Sequence, residues 1–103
     1  MACIVSDAGD TVAANITVSG RVQGVGFRFF AVDVADELGI AGWAKNLSDG
    51  RVEAEVHGVK ESVEVMIERL RQGPPGASVT DVAVTWLPDH VQIPAPSNFK
   101  ILR

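Results

Sequence analysis

The sequence predicts an α+β sandwich in which two helices cover one face of an antiparallel sheet. Three observations carry this. Short runs alternate apolar and polar residues with period two, as in Val52-Glu53-Ala54-Glu55-Val56. Two longer segments repeat their apolar residues at helical spacing. The two patterns succeed each other as β-α-β-β-α-β, which makes two βαβ halves sharing one sheet rather than a uniformly alternating parallel series.

The elements follow in order. Residues 1–13 read as a loose leader, most turn-like at Asp7-Ala8-Gly9-Asp10, and residues 14–103 as the folded domain. Residues 15–22 form a first strand, with Ile16 and Val18 inward and Thr17 and Ser19 opposite. Phe27, Phe30, Ala31, Val34, Ala35 and Leu38 mark a first helix that Gly39 stops. Residues 41–47 and 51–57 are two strands joined by Ser48-Asp49-Gly50, because Asp-Gly between apolar runs is a strong hairpin signal. Val63, Met66, Ile67 and Leu70 place a second amphipathic helix at 60–72, ended by Gly73-Pro74-Pro75-Gly76. Residues 78–87 supply a further strand through Val82, Val84 and Trp86. The stretch Pro88 to Pro96 is too rich in proline for regular structure, and Phe99-Lys100-Ile101-Leu102 is a short extra C-terminal strand. This is the ferredoxin-like βαββαβ sandwich, and its crossovers are expected to be right-handed.

Composition bounds the function. The chain has 103 residues, 47% apolar and 21% charged, which suits one globular domain. A net charge of −4 argues against bulk attraction to nucleic acid or an anionic membrane. The single cysteine, Cys3, excludes an internal disulfide, and no Cys/His spacing suggests structural zinc. The N-terminus lacks the basic start and apolar stretch of a signal peptide, and no run approaches the ~20 apolar residues of a membrane span. The expected compartment is the cytoplasm.

The chemistry concentrates in Gly20-Arg21-Val22-Gln23-Gly24-Val25-Gly26-Phe27-Arg28, between the first strand and the first helix. A glycine-studded turn there aims several backbone N–H groups at one point. The following helix adds positive partial charge at its N-terminus. Arg28, in the first helical turn, offers a planar two-pronged donor. These parts make an oxyanion cradle, with phosphate the first ligand to suspect.

That nonapeptide, followed by Gly42-Trp43-Ala44-Lys45-Asn46 and Asp49-Gly50-Arg51-Val52, closely resembles the acylphosphatase family over roughly residues 14–103. The resemblance implies the same ferredoxin-like fold. It also implies hydrolysis of small-molecule acyl phosphates to a carboxylate and inorganic phosphate, with phosphate as product and inhibitor. Neither metal, cofactor nor phosphoenzyme is implied, and no nucleic-acid or membrane partner; the expected state is a monomer. By the same resemblance the catalytic arginine falls on Arg28 and the catalytic asparagine on Asn46. The phosphate-binding loop falls on Val22, Gln23, Gly24, Val25, Gly26, Phe27 and Arg28.

Blander readings stand beside these. Gly24 and Gly26 can serve a tight turn. Arg28 can be a solvated helix residue, and Asn46 can merely start a hairpin. A dinucleotide fingerprint would need glycine at position 29, which is Phe29. Trp43 and Trp86 read as packing residues at the sheet–helix boundary, and Phe27, Phe29 and Phe30 as core or pocket wall. His57 and His90 have no paired acid or nucleophile evident in the sequence. Glu53 and Glu55 read as the solvated side of a strand, and Glu61, Glu64, Glu68, Arg69 and Arg71 as a charged helix face. Arg21 can add field at the cradle or lie in solvent. Strands one and two must bring Arg28 and Asn46 together.

Two other functions compete. One is an acylphosphatase-like module handling carbamoyl phosphate within a larger hydrogenase-maturation carbamoyltransferase. Against it, the chain starts at Met1 and stops just after its closing strand, with no zinc-finger cysteines. The other is a non-catalytic ferredoxin-like binder of RNA, metabolite or protein. RNA would want exposed aromatics and a basic face on the central strands, where Glu53 and Glu55 stand instead.

Overall fold

Strand alternation and helical periodicity generate the elements of the computed structural model, which describes residues 11–87 and 98–102. They are β1 (Thr11–Arg21), α1 (Phe27–Leu38), β2 (Ala41–Asn46), β3 (Val52–Val59), α2 (Lys60–Gln72), β4 (Ser78–Leu87) and β5 (Phe99–Leu102). The strand order is β4-β1-β3-β2-β5. The first four strands pair antiparallel, with Ile16 opposite Ala54 on one side and Val84 on the other. β5 runs parallel to β2, so the whole sheet is mixed rather than antiparallel. The expected fold is otherwise the observed one.

Period two decides which face is buried. Ala14, Ile16 and Val18 of β1, Ala44 of β2 and Val52, Ala54 and Val56 of β3 form one core with the inner sides of the helices. α2 contributes Val63, Met66, Ile67 and Leu70, the i, i+3, i+4, i+7 stripe the spacing predicts. α1 contributes Phe27, Ala31, Val34 and Ala35. α1 packs over β2 and β5, and α2 over β1, β3 and β4. Burying one such aliphatic side chain stabilises the fold by about 1.5–3 kcal/mol.

Helix ends follow from local sequence. α1 stops where Ile40 N–H reaches back to the Ala35 carbonyl at 2.8 Å and Gly39 N–H to Asp36, a Schellman-type closure. α2 begins directly from β3 at Lys60 and carries Glu61 in its first turn and Arg69 and Arg71 in its last, which suits the helix dipole.

Four expectations need adjustment. β1 starts at Thr11 rather than residue 15, because Ala13 and Ala14, weak in strand propensity, are fully buried and pair with both β3 and β4. Thr11, Val12 and Ala13, read as leader, are therefore strand. β2 ends at Asn46 and β3 runs from Val52 to Val59, so the connection between them is one residue longer on each side than expected and β3 reaches two residues further at its far end. Trp43, opposite Glu55, lies on the sheet face away from the helices, whereas Trp86 does stand at the sheet–helix boundary beside Lys60 and Glu64 but is 47% exposed rather than packed. The remaining leader with Cys3, and the Pro88 to Pro96 stretch with His90, lie outside the described residues.

Gly42 shows how closely two strands approach. Its φ is +141°, and a Cβ there would lie 1.8 Å from the Glu55 carbonyl oxygen on β3. Only glycine accepts both the dihedral and the contact. Gly42→Ala is expected to destabilise the protein by about 2–4 kcal/mol, read as a lower urea midpoint; an unchanged midpoint would refute the close approach.

Candidate active site

β1 and β2 are parallel to each other with β3 between them, so their C-terminal ends open on the same edge of the sheet. β1 ends there in the glycine-rich loop, and β2 ends there in Asn46. A register shift between Ser19 and Gly20 breaks the ladder with β4 just before the loop departs. Three hydrophobic anchors then hold the loop. Val22 and Phe27 are 1% and 2% exposed, and Val25 packs partly buried against the core. Between the anchors, Gly24 and Gly26 both take φ of +77°. Space is open where their Cβ atoms would be, so the left-handed backbone alone selects glycine at these two positions.

Gly26 is also the N-cap of α1 and provides no side-chain cap. The first intrahelical bond is Phe30 N–H to the Gly26 carbonyl at 2.9 Å. The N–H groups of Phe27, Arg28 and Phe29 therefore precede the ladder, and the helix dipole is directed at whatever lies in front of them.

What lies in front is a cavity of about 110 Å³ lined by Val22, Gly24, Gly26, Phe27, Arg28, Phe29 and Asn46. A water in the liquid takes ~30 Å³, so the space suits one tetrahedral oxyanion rather than an organic ligand of ordinary size. Asn46 has the same parity on β2 as Gly42 and buried Ala44, so it faces the helix layer, where the cavity opens. The Arg28 Nη1 reaches the Leu102 carbonyl of β5 at 3.5 Å, a long contact that gives the guanidinium a resting place.

Of the eight site residues expected, Arg28, Asn46, Val22, Gly24, Gly26 and Phe27 line the cavity; Gln23 and Val25 do not. Gln23 instead donates its carboxamide N–H groups to the carbonyls of Leu47 at 2.7 Å and Arg51 at 2.9 Å. These are the residues that close the β2–β3 hairpin, through Leu47 N–H to Arg51 C=O at 2.8 Å. The side chain thus braces the loop against the residue next to Asn46. The carboxamide nitrogen carries two N–H donors, one for each acceptor. A glutamine among glycines was the sequence signal for such a brace. Arg21 is exposed and outside the lining.

Other charged groups are occupied away from the cavity. Arg51 Nε donates to Asp49 at 2.8 Å and holds that carboxyl below the usual carboxylate range. His57 does have a paired acid: it is buried, with Nε2 2.7 Å from Glu55 Oε2. Glu53 likewise accepts from Asn15 at 2.9 Å and lies 3.9 Å from Lys45, whose ammonium is 5.4 Å from the Trp43 ring centroid. This set occupies the sheet face opposite the helices. Among the described residues, no group of three or more His, Cys, Asp or Glu is placed to hold a metal ion. None of the described helices is long and apolar enough to cross a membrane.

Comparison with known proteins shows the family and the fold. The acylphosphatase family model matches residues 14–101. A Nostoc sp. acylphosphatase is 53% identical over 75 residues, 73% of this chain and 74% of the relative. The crystal structure of acylphosphatase from Bacillus subtilis superposes with a TM-score of 0.83 at 38% identity, covering 89% of this chain and 99% of that one. A Coxiella burnetii acylphosphatase gives 0.81 at 36% identity, covering 91% and 95%.

Replacing the brace tests the loop's anchoring. Gln23→Met keeps the shape and loses both bonds, and is expected to cost about 1–2 kcal/mol in urea unfolding. Gln23→Glu faces two carbonyl oxygens with a carboxylate, which raises the folded-state pKa of the new acid. Its extra penalty over Gln23→Met is therefore full above the raised folded-state value, shrinks as pH falls below that value, and is gone below the ordinary Glu value of about 4.3. Equal stability of both variants with the parent at all pH values would show that the brace contributes nothing.

Proposed function

The chain belongs to the acylphosphatase family, hydrolases of acyl phosphates, and on that premise we propose that the small cavity between the loop and Asn46 binds the phosphoryl group and directs water onto phosphorus. One observation carries this reading. The cavity is lined by one guanidinium, one carboxamide, an uncapped helix start and apolar or glycine residues, and none of these seven carries a hydroxyl, thiol, imidazole or carboxylate. The lining therefore suits stabilising an anion and orienting water, and offers neither a covalent nucleophile nor a strong general base.

Each part has a distinct task. The backbone N–H groups from Val22 to Arg28, with Gln23, Gly24 and Val25 at the centre of the loop, receive phosphoryl oxygens at the positive end of α1. Arg28 leaves its weak hold on Leu102 and clamps two of those oxygens with its fork. Charge spreads over the equatorial oxygens as water approaches, and donors fixed beforehand stabilise it without reorganising. Asn46 accepts from the water with its carbonyl and holds it in line. The water oxygen bonds to phosphorus as the bond to the carboxyl oxygen breaks. The carboxylate leaves with the electron pair, and its low basicity removes the need for an acid. The water proton passes to a phosphoryl oxygen, giving inorganic phosphate. The phosphate formed is itself a ligand for the cavity and a competitive inhibitor. The protein works as a monomer in this reading, since every group required comes from one chain.

The tests separate the two residues. With benzoyl phosphate as substrate in EDTA, turnover by the parent is expected to persist. Arg28→Ala is expected to lose about 10³-fold in kcat/KM and most phosphate inhibition. Arg28→Lys keeps charge without the fork and is expected to recover only a small part. Asn46→Ala is expected to lose about 10²-fold or more in kcat while inorganic phosphate binds within about threefold of the parent. Equal losses of phosphate binding in Arg28→Ala and Asn46→Ala would overturn the division of roles.

A further inference from the structure

We propose that Phe29 is the platform for the acyl group, and that this chain favours acyl phosphates whose acyl part is aromatic or broadly apolar; the proposal rests on the phosphoryl group occupying the cavity as above. The cavity of about 110 Å³ has room for a phosphoryl group and little else. The acyl portion must then project through the mouth. One wall residue there is Phe29, which is 66% exposed although it lines the cavity with Arg28 and Asn46.

The neighbouring phenylalanines have structural explanations. Phe27 is 2% exposed in the core, and Phe30 is half-buried and meets Phe27 edge to face at 6.0 Å. Phe29 lies off the inward stripe of α1 formed by Phe27, Ala31, Val34 and Ala35, so helix packing does not require an aromatic there. An isolated exposed apolar side chain needs no explanation in itself. Position distinguishes this one. Trp86, also exposed, pairs with Ala14 at the far end of β1, whereas Phe29 stands one residue from the guanidinium at the site. A rigid ring with two torsions, already in place, offers apolar area at small entropic cost. A benzoyl ring can stack on it or meet its edge; an acetyl methyl group covers far less of it.

Such a platform acts on the acyl group in both ground and transition states, so its contribution falls on KM more than on kcat. The experiment measures kcat/KM for benzoyl phosphate and acetyl phosphate with the parent, Phe29→Ser, Phe29→Tyr and Arg28→Ala. Comparing the ratio of the two substrates between variants cancels their different intrinsic reactivities. In Phe29→Ser the benzoyl-to-acetyl ratio is expected to fall about tenfold, which is about 1.4 kcal/mol of discrimination, chiefly through a higher KM for benzoyl phosphate. In Phe29→Tyr, which keeps the ring, the ratio is expected to stay within twofold of the parent. A ratio in Phe29→Ser within twofold of the parent would overturn the platform. Failure of the underlying site would look different: Arg28→Ala would then leave turnover of both substrates intact, whatever the ratio did.

Discussion

The start of α1 is left without a side-chain cap, and the rest of the site is arranged around that omission. A helix N-terminus ordinarily takes Ser, Thr, Asp or Asn, whose oxygen accepts one of the orphan N–H groups. Here Gly26 stands in that place, with left-handed dihedrals and nothing to offer. An acidic cap would satisfy the backbone and neutralise the dipole, leaving no attraction for an anion. The fold forgoes a local stabilisation of roughly 1 kcal/mol and must hold the loop by other means. Val22 and Phe27 in the core and the Gln23 carboxamide across the hairpin supply them.

The two faces of the sheet divide the labour. On the helix side the strands present aliphatic side chains to the core until β2 reaches Asn46, where the cavity opens. On the other side Asn15, Lys45, Glu53, Glu55 and His57 satisfy one another in pairs. The charged residues of the central strands are thus mostly engaged with one another. The chemistry is confined to one end of the sheet, where two parallel strands finish on the same edge.

Much of this was legible in the sequence because it rests on short-range rules. The spacing of Val63, Met66, Ile67 and Leu70, the alternation through Val52, Ala54 and Val56, and the Asp49-Gly50 turn each state their own structure. Gly24 and Gly26 beside Arg28 marked the turn that lines the cavity for the same reason. What escaped was set by contacts between distant segments. β1 begins at Thr11 because two neighbours pair with its alanines, which carry little strand signal themselves. The parallel direction of β5 depends on where the intervening chain delivers it. Gln23 read as part of the phosphate-binding loop, and its bracing of the hairpin carbonyls depends on a segment distant in sequence; the acid beside His57 is its strand neighbour two residues back, on the same side of the pleat. The outward turn of Phe29 at the cavity mouth depends on the angular position of α1 against the sheet.

The central place of β1 has a kinetic side. Its partners are β3 and β4, so Ala13 pairs with His57 on one flank and with Leu87 on the other. Neither pairing can close as a local hairpin. Large loops must be gathered before the middle of the sheet exists, and high contact order of this kind slows folding relative to helical proteins of the same size. The glycine-rich loop hangs from the end of β1. It acquires its fixed shape only after the most distant pairings have formed, so ordering of this loop during refolding reports late assembly of the whole sheet rather than early formation of a helix.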